Sequence, residues 1–115
     1  ESRQHIKRIR QFSICLGKSI MKLYSEYELT SDKLMQIGWA CALHDIGKIT
    51  IPDHIITKPG KLTVDEFELM KSHTTKGAEI IQKSIRLNDK AVFDYACDIA
   101  RHHHEKYDGK GYPDG

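Results

Sequence analysis

Apolar residues recur at three- and four-residue steps along four stretches of the chain, and nowhere do they alternate as a half-buried strand would. The first stretch runs from residue 1 to about Tyr27, with Ile9, Phe12, Leu16, Ile20 and Leu23 on one line and His5 four residues before Ile9. This spacing predicts a helix whose stripe faces the core. Thr30-Ser31-Asp32 supplies N-cap side chains for a second helix. Its inward face reads Leu34, Ile37, Cys41 and His44, Gly38 permits a close neighbour, and the helix is expected to run out near Gly47. Residues 48–62 contain Pro52 and Pro59-Gly60 and read as irregular, apart from a helical turn over 53–57. Thr63-Val64-Asp65-Glu66 fits a capping box. The third helix that it opens carries Phe67, Met70, His73, Gly77 and Ile80 or Ile81 along one side. Asn88-Asp89 restarts a fourth, with adjacent stripes Val92, Ala96, Ile99, His103 and Phe93, Cys97, Ala100, His104. Asp108 to Gly115 is a glycine- and proline-rich loop. The fold class that follows is all-α, a helical bundle.

Composition narrows the class. The 115 residues suit one domain, 1–115, and 39% hydrophobic residues suffice for a single core. No apolar run approaches the roughly 18–20 residues of a membrane span, and nothing resembles a signal peptide. A net charge of +2 with no dominant Lys/Arg cluster argues against DNA as a partner. Cys15, Cys41 and Cys97 are widely spaced and odd in number, which predicts reduced thiols and a cytoplasmic protein. The chain starts at Glu1 inside a helical pattern and stops after a loop, so it is expected to be a piece of something longer.

Seven histidines change the picture, because four predicted helices each place one on the stripe that should face the core. A single buried imidazole is ordinarily satisfied by a backbone carbonyl. Burying several without strong partners costs roughly 1–3 kcal/mol apiece, and a metal cluster satisfies them together. Glu1 and His5 are one helical turn apart and share a face. His44-Asp45 sets an imidazole beside a carboxylate that can bridge two ions. Imidazole and carboxylate without cysteine argue against structural zinc and favour a hydrolytic site holding iron or manganese, with zinc or nickel as alternatives. His54, in the irregular segment, and His102, rotated off both stripes, are assigned no metal. Lys48, one turn past Asp45, is either a solvated lysine or a cation aimed at a metal-bound phosphate.

His44-Asp45-Ile46-Gly47-Lys48, His73 with Gly77, and the run from His103-His104-Glu105 to Asp108-Gly109-Lys110-Gly111-Tyr112-Pro113 resemble the HD-GYP family of HD phosphohydrolases. The resemblance covers nearly the whole chain. It implies an HD-domain-like helical bundle around two or three divalent metal ions, and hydrolysis of a cyclic dinucleotide, cyclic di-GMP above all, with some members acting on cyclic GMP-AMP. Carried across, it implies metal ligation by Glu1, His5, His44, Asp45, His73, His103 and His104, catalytic roles for Asp45 and Lys48, and substrate or partner contacts by Lys48, Gly111, Tyr112 and Pro113. A diguanylate cyclase (GGDEF) domain as partner and an upstream sensor or receiver domain also follow from it. The family carries a further aspartate ligand well after the Gly-Tyr-Pro triplet, beyond the last residue of this sequence. Two other readings stay open: an HD-type nucleotide phosphohydrolase with another substrate, and a non-catalytic module that binds a dinucleotide or a cyclase.

Overall fold

Most helices begin where a side chain accepts from their unpaired N–H groups. In the computed structural model, which describes residues 2–115, Ser2 accepts from the His5 amide and opens α1 (Arg3–Leu23). Thr30 does the same at Lys33 for α2 (Ser31–Ala40). A single turn, α3 (Asp53–Ile56), follows Pro52. Thr63 and Glu66 close both halves of the capping box at α4 (Val64–Lys71). α5 (His73–Ser84) follows directly, and Asp89 caps α6 (Lys90–His102) through the amides of Ala91 and Val92. There is no strand among the described residues, and no helix is long and apolar enough to cross a membrane. The fold is all-α.

The core is small-residue rich where helices cross. Ala40, Ile81, Ala96 and Ala100 are fully buried at the junction of α2, α5 and α6, with Leu43, Ile46, Val92, Phe93 and Ile99 packed around them. α1 lies on α2 at Gly17 and Gly38. A Cβ at Gly17 would come within 2.3 Å of Leu34 Cδ2, and one at Gly38 within 2.9 Å of Ile14 Cδ1.

Four expectations are corrected. The stripe of α1 faces solvent at Phe12, Leu16 and Leu23, which are 68, 63 and 70% exposed. α2 covers the neighbouring face instead, through Ile14, Gly17 and Arg10, whose guanidinium lies 3.9 Å over the Trp39 ring. Period identifies a stripe but not which neighbour covers it. The second helix stops at Ala40, and two tight 3₁₀ segments, Cys41–Leu43 and Ile46–Thr50, bracket His44 and Asp45. The third helix is two helices, α4 and α5, that meet at Ser72, whose hydroxyl donates to the Leu69 carbonyl. α6 ends at His102, so His103 and His104 occupy the turn after it.

Candidate metal centre

Asp45 stands in the turn between the two 3₁₀ segments, and what presses it inward is a glycine. Gly47 lies so close to the first turn of α5 that a Cβ there would meet the His73 carbonyl oxygen at 1.9 Å and the Gly77 nitrogen at 2.7 Å. This approach seats the Asp45 carboxylate against His73, the first residue of α5 and only 1% exposed. Oδ1 of Asp45 lies 3.2 Å from His73 Nε2 and 3.5 Å from His103 Nε2. Oδ2 lies 3.3 Å from His44 Nε2 and 2.7 Å from Lys48 Nζ.

The imidazoles are oriented from behind by backbone. Nδ1 of His73 meets the Met70 carbonyl at 2.6 Å, Nδ1 of His44 meets that of Cys41 at 2.8 Å, and Nδ1 of His103 meets those of Ile99 and Ala100 at 3.0 and 3.1 Å. A carbonyl only accepts, so each Nδ1 carries a proton and, in the neutral ring, each Nε2 presents a lone pair to the interior. The Nε2 atoms of His73 and His103 are nevertheless 3.2 Å apart. Two lone pairs facing at that distance, beside a carboxylate, call for a cation between them. Asp45, His73, His103 and His104 each offer a ligand atom within 4.8 Å of the others. This donor set fits a divalent metal ion, and the carbonyl partners are the usual second layer of such sites.

His104 is held ready in the neutral form. Burial, followed by the neighbouring His103 and His73, pulls its pKa down from 6.5 to about 4. Its ring packs on His103 at 4.2 Å and lies nearly parallel to Tyr112, 4.7 Å away at 19°. Burial and then the Asp45 charge push the Tyr112 phenol upward, so it stays protonated at neutral pH. Phe67 meets Tyr112 edge-on at 6.1 Å.

The remaining residues singled out in the sequence take separate places. His5 is exposed on α1, with its ring 6.0 Å from that of His44, and His44 in turn lies 5.2 Å from His103. Both face the cluster across one cleft of about 530 Å³, lined also by Ile9, Ser13, Cys41, Lys48 and Ile99. Neither is among the four residues of the tight group. Glu1 lies outside the described residues. Lys48 lines the cleft while its ammonium reaches back to Asp45. His54 is on α3, and His102 points away from the cluster to Asp114. Gly111 is set where a Cβ would meet Lys106 N at 2.4 Å and the His104 carbonyl at 2.5 Å, so only glycine lets the loop lie flat on the end of α6.

Three residues with a structural part in the site carried no signal in the periodic pattern. Glu105 accepts from the amides of Asp114 and Gly115 at 2.6 and 3.1 Å. Arg101 holds the Asp114 carboxylate with two nitrogens. These contacts span nine to thirteen residues, beyond the reach of local spacing.

Residues 3–115 match the family described as HD domain. The chain is 44% identical over 94 residues to a Thermotoga maritima protein named cyclic di-GMP phosphodiesterase, covering 82% of this chain and 24% of that one. Against a Vibrio cholerae protein named probable cyclic di-GMP phosphodiesterase it is 37% identical over 118 residues, covering 100% and 27%. Against another from Vibrio cholerae, named 3'3'-cGAMP-specific phosphodiesterase 2, it is 37% identical over 113 residues, covering 98% and 20%. The chain thus spans about a quarter of the length of such relatives. With the His44-Asp45 pair set among the histidines and the family match running from residue 3 to residue 115, the chain belongs to the HD domain family, in its HD-GYP form.

Proposed function

We propose that this chain carries the metal-holding part of a phosphodiesterase that opens a cyclic dinucleotide in bacterial second-messenger signalling, cyclic di-GMP in the first instance. The observation that carries the reading is the pair of Nε2 lone pairs of His73 and His103, 3.2 Å apart beside Oδ1 of Asp45. The names of the relatives support the substrate class, and the one named for 3'3'-cGAMP makes cyclic GMP-AMP the runner-up.

The proposed ligands are Asp45, His73, His103 and His104, with His5, His44 and Glu1 serving a second or third ion. Iron or manganese suits this nitrogen and oxygen set best, ahead of zinc or nickel. Divalent ions bound there would supply hydroxide at neutral pH and neutralise charge building on the phosphate. The chain's own residues do the rest. Carbonyl-anchored imidazoles keep their lone pairs fixed, Lys48 adds positive charge at the rim, and the apolar wall of Ile9 and Ile99 excludes water from one side of the cleft. Gly111, Tyr112 and Pro113, tied to the cluster by the stack of Tyr112 on His104, would contact substrate or a partner such as a cyclase domain. A sensor or receiver domain upstream, and a reduced cytoplasmic setting consistent with three unpaired cysteines, complete the proposal.

The test is turnover. The protein loaded anaerobically with Fe(II) or Mn(II) is incubated with cyclic di-GMP or 3'3'-cGAMP, and the products are separated by chromatography. Linear dinucleotide from the unaltered protein and none from His73→Ala supports the reading. Tight dinucleotide binding with no product from metal-loaded protein favours the non-catalytic module instead.

A further inference from the structure

The loop after α6 is fastened to the helix it leaves. The Asp114 carboxylate receives Arg101 Nη2 at 2.7 Å on one oxygen, and Arg101 Nε at 3.2 Å and His102 Nε2 at 3.0 Å on the other. Arg101 and His102 are the last two residues of that helix before His103 and His104. Glu105 braces the same spot by accepting the Asp114 and Gly115 amides, and the Tyr112 amide donates to the His104 carbonyl at 3.3 Å. Between these fixed points stands the Tyr112 ring, stacked on His104.

We propose that Asp114 is a positioning residue for the metal centre. Its link to Arg101 and His102 latches the loop to the end of α6, and so keeps Tyr112 on the outer face of the His104 ring. The inference rests on the reading of His104 as a metal ligand. The geometry gives the latch its leverage: a two-pronged arginine–carboxylate contact fixes orientation as well as distance. The surface ion pair adds little stability of its own, so its consequence is where the loop sits. An imidazole backed by a fixed ring samples fewer rotamers, and partners behind ligating histidines tune metal affinity, hydrogen-bonded ones by about 10–100-fold.

The stack has a direct signature, because the face of Tyr112 shifts the His104 ring protons upfield in the NMR spectrum. Tyr112→Leu defines the unstacked value, and the Trp39 indole resonance, remote from the loop, reports that the fold is intact. In metal-free protein, Asp114→Ala and the milder Asp114→Asn are expected to move the His104 shift most of the way to the unstacked value. The exchanged pair Arg101→Asp with Asp114→Arg is expected to restore it. Zinc titration of the same proteins should show affinity about tenfold weaker in Asp114→Ala and recovered in the exchanged pair. An unchanged His104 shift in both Asp114 variants overturns the latch. A lost stack with unchanged zinc affinity overturns its role at the metal centre. Failure of the unaltered protein to bind zinc, with its stack intact, overturns instead the reading of the centre on which the inference rests.

Discussion

At the scale of single residues, Asp45 and Lys48 touch each other yet have separable parts. Asp45 reaches His44 and His73 as well as Lys48, whereas the Lys48 ammonium is paired with the Asp45 carboxylate at 2.7 Å and offers no metal-ligating atom. Asp45→Ala is therefore expected to lower metal content, measured by mass spectrometry, and to abolish turnover. Lys48→Met should retain metal while reducing kcat by about 10²–10³, as loss of one preorganised charge at a developing anion does. Equal loss of metal in both variants contradicts the division. His104 gives a pH dependence. With its folded pKa near 4 against 6.5 for the free group, the unfolded chain takes up a proton in that window and the folded chain does not. Above 6.5 neither state is protonated and nothing is lost; stability then declines as pH falls from about 6.5 toward 4. The urea midpoint of metal-free protein should show this decline, and His104→Gln should flatten it. Equal slopes for the two proteins would contradict a neutral His104.

At the scale of elements, the decisive contact is the seat of the 46–50 segment on α5. Gly47→Ala places a methyl into the His73 carbonyl, where neither backbone can yield cheaply. It is expected to cost about 3 kcal/mol, the upper end for overpacking, and to carry Asp45 away from His73. Denaturant unfolding and metal titration of this one variant should therefore fail together. Thr63→Ala, which opens the capping box at the far end of α4 from Met70, should cost only about 1 kcal/mol and leave metal affinity intact. The capping box was readable because donor and acceptor sit three residues apart. The break at Ser72 was not, since the apolar stripe continues across it from Met70 to His73 and Gly77.

At the scale of the whole molecule, α1 has two apolar faces, and among the described residues only one is covered. Phe12, Leu16 and Leu23 lie in the open, the first two on a shallow groove that shares Ile9 and Ser13 with the metal cleft. Phe12→Ser with Leu16→Ser should reduce binding of a hydrophobic dye while changing stability by no more than about 0.5 kcal/mol, as exposed positions do. A larger loss would show that the stripe contributes to the fold.

Local rules determined much of this protein from its sequence: four periodic stretches, three caps, the glycine at position 38 and a surplus of histidine on apolar lines. Each is encoded within a few residues, as Thr63 with Glu66 or Gly38 on its own helix face, so each was legible without knowledge of the rest. The tertiary structure alone decided which face of α1 is buried, because two apolar stripes compete for one partner helix. It also brought Gly47 against His73 and Asp114 back to Arg101, contacts between segments that no period connects. Above all it committed the Nδ1 protons of His44, His73 and His103 to backbone carbonyls. A sequence states that imidazoles are present; only the chain folded behind them fixes which nitrogen is left with its lone pair facing the cluster.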